Sequence, residues 1–252
     1  MKKNKSFAKT AFLMGVIILA SKLMGLARDV LTARAFGTTD YAIAYETASK
    51  LPLTIFDFVL GGVVTSAFIP IYNSISVKNG KKQAVSFLSS YINLILLITL
   101  AITAFGEAFA PLLVKFIAPE LSKATAELSV SLTRIMFPMV IFVGLAFSFV
   151  GFLQSEGEYN LPAVISLVSN VIMCTYLLTL SDKFGVTGLA MAMLVGWIMQ
   201  ALVQLPTAVK KGLKYSPKSR INTPEITRAA KNTVPILLAT WTTPLCSLIN
   251  TR

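Results

Sequence analysis

The residues most able to do chemistry are charged side chains within the two apolar runs of the stretch from Ser21 to Pro70. They are Lys22, Arg28, Asp29, Arg34, Glu46, Lys50 and Asp57. A charge in membrane hydrocarbon costs about 3 kcal/mol even on lenient insertion scales, so such a charge is kept where it faces a cavity or a partner. The stretch therefore predicts two membrane helices, joined by a short turn at Gly37 to Asp40, with a polar cavity beside them.

Three charges share one stripe of the second helix. Glu46, Lys50 and Asp57 follow one another at spacings of four and seven residues, which place them on the same face. Glu46 precedes Lys50 in the favourable orientation for an ion pair, and a purely structural pair is one interpretation of these two residues. Lys50 and Asp57 are two turns apart, roughly 10 Å, which leaves space for a ligand or water.

On the first helix, Arg28 is the charge hardest to explain without a function. A guanidinium is always charged and binds phosphate through paired hydrogen bonds, so Arg28 suits a phosphorylated ligand. Lys22 shares a face with Asp29, and a helix break at Gly25 would let Lys22 and Arg28 converge. Arg34 lies near the helix end, where its side chain could instead extend to the membrane interface.

Arg134 is a further isolated cation, in the segment TRIMFPMV. Two interpretations stay open for it. It pairs with an acidic residue of the bundle, for which Asp29 and Asp57 are the candidates, or it faces the cavity.

The elements that position these residues are membrane helices. The chain is 55% hydrophobic and only 13% charged, whereas soluble domains carry about 25% charged residues. Since about 20 apolar residues span a bilayer, the sequence predicts an all-α, polytopic membrane helix bundle of six transmembrane helices and the start of a seventh. The six spans are 7–36, 41–73, 84–116, 124–154, 160–181 and 186–209. We divide the chain into a six-helix lobe (1–209), a basic cytoplasmic linker (210–222) and the start of a second lobe (223–252), with a seventh helix still running at Arg252.

Lysine and arginine in the short loops predict the orientation. They concentrate before the first span, between spans two and three, and after span six, which places the N-terminus in the cytoplasm. The loop QSEGEYN between spans four and five has neither residue and contributes little to this prediction.

Several functional classes are disfavoured. The chain has no His, and Cys174 and Cys246 lie in apolar segments, so metal sites and His-based acid–base chemistry are not expected. No phosphate-binding glycine loop and no nucleophile beside a base occurs, so we expect neither an enzyme nor a cofactor. The net charge of +12 collects at the ends of apolar runs, which argues against a nucleic-acid partner.

Several motifs resemble one family of membrane transporters. They are SKLMGLARDVLTARAFG, SKLP, SAFIPIY, RIMFPMV, GFLQSEGEYNLPA and QLPTAVKKG, and they extend over essentially the whole chain. Together they resemble the MurJ/MviN family of lipid II flippases, which belongs to the multidrug/oligosaccharidyl-lipid/polysaccharide exporter superfamily.

The resemblance implies a two-lobed transporter with a hydrated, cationic central cavity in the bacterial plasma membrane. Alternating access would carry lipid II, an undecaprenyl-pyrophosphate-linked peptidoglycan precursor, to the outer leaflet. Arg28 matches the family's ARD arginine, and Lys22 stands where the family commonly has Arg. The candidate pyrophosphate-binding cations are Arg28, Lys22, Arg34, Lys50 and Arg134, and the candidate cavity carboxylates are Asp29, Glu46 and Asp57. A C-terminal lobe is the expected missing partner, since we interpret the chain as a fragment.

The chain departs from the family pattern at the cavity. Ile43 replaces an acidic residue, and Phe56 and Asp57 replace a basic pair. Because carboxylates and cations share the predicted cavity, coupling to the membrane potential or to a monovalent ion is a further hypothesis.

Three functions remain as alternatives to a lipid II flippase. They are an exporter of another polyprenyl-linked polysaccharide, a cation-coupled drug exporter, and a non-transporting membrane scaffold fragment.

Overall fold

A computed structural model describes the backbone of residues 2–60 and 67–229, and the side chains of residues 15–60 and 67–229. All regular secondary structure in these ranges is helical, which confirms the all-α class. The helices are α1 (Lys2–Phe36), α2 (Asp40–Leu60), α3 (Phe68–Asn79), α4 (Lys81–Ile117), α5 (Lys123–Met136), α6 (Met139–Ser155), α7 (Asn160–Thr179) and α8 (Ser181–Lys210).

The first two helices meet at the predicted turn. Gly37 ends α1 with a φ of 59°, a left-handed conformation that glycine adopts without strain, and Asp40 begins α2. The second predicted span, 41–73, corresponds to α2 and the first part of α3, and residues 61–66 lie outside the described residues.

The fourth predicted span is bent. Its two halves, α5 and α6, meet at an angle of 41°. Pro138 lies at the junction, and because proline has no backbone N–H and its ring crowds the preceding turn, the helix axis changes direction there. The sixth span also has a defined start, since Gly185 adopts a non-helical φ of 56° and the regular helix follows it.

Three described helices, α4, α7 and α8, are long and apolar enough to cross a membrane, and α5 with α6 makes a fourth candidate. Helix α2 carries Glu46, Lys50 and Asp57, which lower its apolar character. The apolar part of α1 includes residues whose side chains are not described. Six spans therefore remain a prediction. The seventh falls on residues 230–252, outside the described range, apart from a helical stretch at 224–229.

The packing separates α1 from α2. Helix α1 packs along α7, whereas α2 packs along α5, and α7 and α6 both pack on α8. A buried aromatic group at the α3 end of the bundle, including Phe68, Tyr72 and Phe152, fixes α3 against α4 and α6. Two neighbouring helices that are held by different partners diverge from their shared turn and leave a cleft between them.

Glu156, directly after α6, contacts α3 and the ends of α4 and α8. Its Oε1 accepts a hydrogen bond of 2.7 Å from the Tyr72 hydroxyl, and its Oε2 forms an ion pair of 2.5 Å with Lys81 Nζ. Its carbonyl oxygen accepts a hydrogen bond from Lys211 Nζ at 3.2 Å. The loop that lacks Lys and Arg therefore lies beside two of the basic segments, at the same end of the bundle.

Gly106 lets α4 approach the bend in the fourth span. A Cβ at this position would lie 2.0 Å from the nearest ring carbon of Phe137, which is fully buried. A methyl group would force Phe137 out of its packed position.

We expect Gly106→Ala to lower the stability of the protein by about 2 kcal/mol, because overpacking of a close-packed core costs more than the alanine gains in helix propensity. The measurement is the thermal unfolding midpoint in detergent. Gly15→Ala is the matched control, since nothing lies within 4 Å of a Cβ built there, and an equal loss of stability in both variants would contradict this explanation.

Candidate functional site

A cavity of about 690 Å³ occupies the cleft between α1 and α2. Met173 of α7 and Met193 of α8 close one side of it. Its charged lining residues are Arg28, Asp29, Glu46, Lys50 and Asp57. The structure therefore brings together five of the eight predicted site residues.

Arg28 is held in the cavity wall by two neighbours. Its Nε and Nη2 donate to Asp29 Oδ1 at 3.1 and 2.8 Å, and its Nη1 donates to Asn170 Oδ1 at 3.0 Å. A guanidinium has five N–H donors, so two remain for a ligand. The Arg28 side chain is 33% exposed, which leaves it accessible from the cavity.

Asn170, on α7, is a site residue that the sequence analysis missed. It is only 7% exposed, and its amide joins Arg28 to the carbonyl oxygen of Ser21 through an Nδ2 hydrogen bond of 3.3 Å. Gly25 of α1 lies beside this amide, and a Cβ at Gly25 would lie 3.5 Å from Asn170 Nδ2, in van der Waals contact. An amide within the apolar run SLVSNVIM was the available signal, because polar side chains inside membrane segments are rare and tend to be functional.

Glu46 and Lys50 form the predicted ion pair, at 2.8 Å between Glu46 Oε1 and Lys50 Nζ. Their side chains are 67% and 41% exposed, so the pair is not a buried structural bridge, and exposed pairs contribute little stability. The pair also lines a second cavity of about 760 Å³, which Lys115 and Glu120 border. Lys50 can therefore exchange its partner at low cost.

Asp57 lines the cavity and forms no ion pair with the described residues. Phe56, beside it, is 2% exposed and packs in the core. Among the described residues, the cavity lining has two cations and three carboxylates, which gives it a formal charge of −1. The resemblance implied a cationic cavity, and the difference arises because Phe56 and Asp57 occupy the positions of the family's basic pair.

The other three predicted cations lie outside this cavity. Lys22, Arg34 and Arg134 are exposed, and none forms an ion pair with the residues described. Helix α1 continues unbroken through Gly25, so the helix break that would let Lys22 and Arg28 converge is not present.

For Arg134, neither interpretation is met among the described residues. It forms no ion pair with Asp29 or Asp57, and it does not line this cavity.

Hydroxyl groups complete the lining. Thr32, Ser49, Thr54 and Tyr45 face the cavity, and the Tyr45 hydroxyl lies 3.5 Å from the Met193 sulfur. Hydroxyls donate and accept hydrogen bonds, so they can bind sugar or phosphate groups. Across the described residues, no group of three Asp, Glu, Cys or His side chains is placed to hold a metal ion.

A helical bundle with a polar cleft between its first two helices is the fold of one lobe of a membrane transporter, and solved structures share it. The chain superposes on a MATE transporter from Vibrio cholerae with a TM-score of 0.77 over 100% of this chain and 57% of that one. Their sequence identity is 13%, so this similarity concerns the fold alone. The chain thus has a membrane-transporter fold, and its long apolar helices fit a multi-pass membrane protein.

Sequence comparison identifies the family. The model for "Lipid II flippase MurJ" matches residues 32–252, and the chain belongs to this family. It is similar to the lipid II flippase MurJ of Burkholderia cenocepacia, with 29% identity over 93% of this chain and 47% of that protein. A solved structure of a lipid II flippase MurJ in an inward closed conformation matches with a TM-score of 0.74 and 28% identity, over 95% of this chain and 49% of that one. The chain spans about half the length of these relatives.

The contact between Arg28 and Asn170 can be measured with a double-mutant cycle. We expect Arg28→Ala and Asn170→Ala to be coupled by about 1–3 kcal/mol in thermal unfolding, because the hydrogen bond involves a charged donor and a buried acceptor. The control cycle pairs Asn170→Ala with Arg34→Ala, which removes the same charge from the same helix. If the two cycles gave the same coupling energy, the hydrogen bond between Arg28 and Asn170 would not explain it.

Proposed function

We propose that this chain provides the substrate-binding half of a lipid II flippase, which moves the lipid-linked peptidoglycan precursor from the cytoplasmic to the outer leaflet by alternating access. One observation supports it most directly. Arg28 is oriented into the α1–α2 cavity by Asp29 and Asn170, in a chain of the lipid II flippase family. Transport by alternating access needs a second lobe facing this cavity, and the relatives are about twice as long as this chain.

The chemistry of the cavity suits a pyrophosphate diester. The two unused N–H groups of Arg28 can bind phosphate oxygens, and charge-assisted hydrogen bonds of this type are the strong ones. Lys50 would leave Glu46 and turn to the same ligand, since the exposed ion pair holds it weakly. Hydroxyls of Thr32 and Ser49 line the same space and would contact the attached sugar.

The excess of carboxylates requires compensation during transport. We propose that Asp57, which has no cationic partner among the described residues, binds a monovalent cation or a proton that couples transport to an ion gradient or to the membrane potential. A cation moving through the membrane field gains about 2.3 kcal/mol per 100 mV, enough to bias an alternating-access equilibrium. Such a cation would also reduce the repulsion between Asp57 and the pyrophosphate.

For location, we propose the bacterial plasma membrane with the N-terminus in the cytoplasm. The supporting feature is the end of the bundle where Glu156 contacts Lys81 and Lys211, because these contacts gather two basic segments on one side. Basic loops remain cytoplasmic in membrane proteins.

A second candidate is a cation-coupled drug exporter. The formal charge of −1 on the cavity lining favours a cationic ligand, and the fold also occurs in MATE transporters. Transport assays separate the two functions, since a drug exporter would leave the distribution of the lipid-linked precursor unchanged.

The main test is Arg28→Ala at the native locus. We expect the lipid-linked precursor to accumulate on the cytoplasmic leaflet and flipping to fall at least tenfold, because the pyrophosphate loses hydrogen bonds worth about 1.5–3 kcal/mol. The assay is the amount of precursor accessible from outside the cell. Arg34→Ala is the matched control, with the same charge removed from α1 outside the cavity, and normal flipping by the Arg28 variant at equal expression would contradict the assignment.

The coupling proposal has its own test. We expect Asp57→Asn to retain binding of the lipid-linked precursor but to make its transport in vesicles insensitive to the imposed ion gradient or potential, because the amide cannot hold the cation. Transport that keeps its gradient dependence in this variant would assign coupling to another group.

A further inference from the structure

A third cavity, of about 490 Å³ and lined by polar side chains, lies between the start of α4 and the segment that follows α8. Three lysines and several serine hydroxyls line it, and we call it the lysine–serine pocket. Its polar side chains include Lys81, Lys82, Lys214, Ser86, Ser216 and Ser219. We propose that this pocket binds the phosphate headgroup of an anionic membrane phospholipid.

The pocket is held in place by hydrogen bonds to α4. The Ser89 side chain, which is 1% exposed, donates from Oγ to the Lys214 carbonyl oxygen and accepts from the Ser216 N–H, both at 3.2 Å. Asn93 Nδ2 donates to the carbonyl oxygens of Pro217 and Ser219 at 3.1 and 3.0 Å. The segment from 214 to 219 is therefore fixed along α4, and a pocket formed in advance binds its ligand without paying for loop ordering.

The turn into this segment depends on Gly212. Its φ of 99° reverses the chain at the end of α8, and its N–H and that of Leu213 return to carbonyl oxygens of the last helical turn. Leu213 is buried in the core, which anchors the turn. This geometry brings Lys214 back beside the first turn of α4.

Two of the three lysine charges of the pocket are not compensated within the described part of the chain. Lys81 pairs with Glu156, but Lys82 and Lys214 form no ion pair there, and no acidic residue lines the pocket. The first turn of α4 also lacks an acidic residue. Two ammonium groups beside hydroxyl donors match a phosphate monoanion, which offers several acceptor oxygens.

The position of the pocket favours a lipid as the source of this phosphate. It lies at the ends of α4 and α8, two helices that are apolar enough to span a membrane, so it is placed at the membrane–water boundary. In the orientation proposed above it faces the cytoplasmic leaflet, which carries anionic lipids.

The test is native mass spectrometry of the purified, delipidated protein titrated with phosphatidylglycerol. The variant is Lys82→Gln with Lys214→Gln, and the control is Lys78→Gln with Lys210→Gln, which removes two lysines from the same end of the bundle outside the pocket. We expect the affinity for phosphatidylglycerol to fall about 30-fold in the variant and to stay unchanged in the control, since the loss of two lysines near an anionic surface costs about 2 kcal/mol.

Two further titrations identify the source of the phosphate. We expect phosphatidylcholine to bind weakly and millimolar inorganic phosphate to leave the phosphatidylglycerol complex intact. Displacement by inorganic phosphate would assign the pocket to a free anion and overturn the lipid proposal. Equal weakening in both double variants, or equal binding of phosphatidylcholine, would show non-specific attraction and overturn it as well.

Discussion

The cost of placing charge in a membrane is the constraint on which this structure depends. Arg28, Lys50 and Asp57 cannot face lipid without a loss of several kcal/mol, so the bundle has to provide a hydrated space for them. It does so by packing α1 against α7 and α2 against α5, which separates two helices that share a turn. Asn170 then fixes the orientation of Arg28 from α7, across the same contact that holds α1 in place.

What could be predicted from the sequence was mainly the geometry within single helices. The one-stripe arrangement of Glu46, Lys50 and Asp57 follows from helical periodicity, and the structure places all three on the cavity. The Glu46–Lys50 pair and the glycine turn at Gly37 also follow from local rules. The apolar runs predicted the bounds of α4 and α7 to within a few residues, because hydrophobic length is set by the membrane, but they did not predict the break between α5 and α6.

Contacts between helices could not be predicted in this way. Asn170 and Glu156 act through partners that lie far away in the sequence, and only the packing brings them together. For the same reason, no choice between the two interpretations of Arg134 could be made from the sequence. The replacement of the family's basic pair by Phe56 and Asp57 was visible in the sequence, but that Phe56 packs in the core while Asp57 faces the cavity required the structure.

The central claim is that the α1–α2 cavity binds the lipid-linked precursor through Arg28. Cysteine protection tests it most directly, with Thr54→Cys in a background that lacks Cys174 and Cys246. Thr54 lines the cavity, so a water-soluble maleimide should label the variant, and lipid II should slow the labelling. Adding Arg28→Ala should abolish this protection. If lipid II gives no protection, or protects equally without Arg28, the account is contradicted.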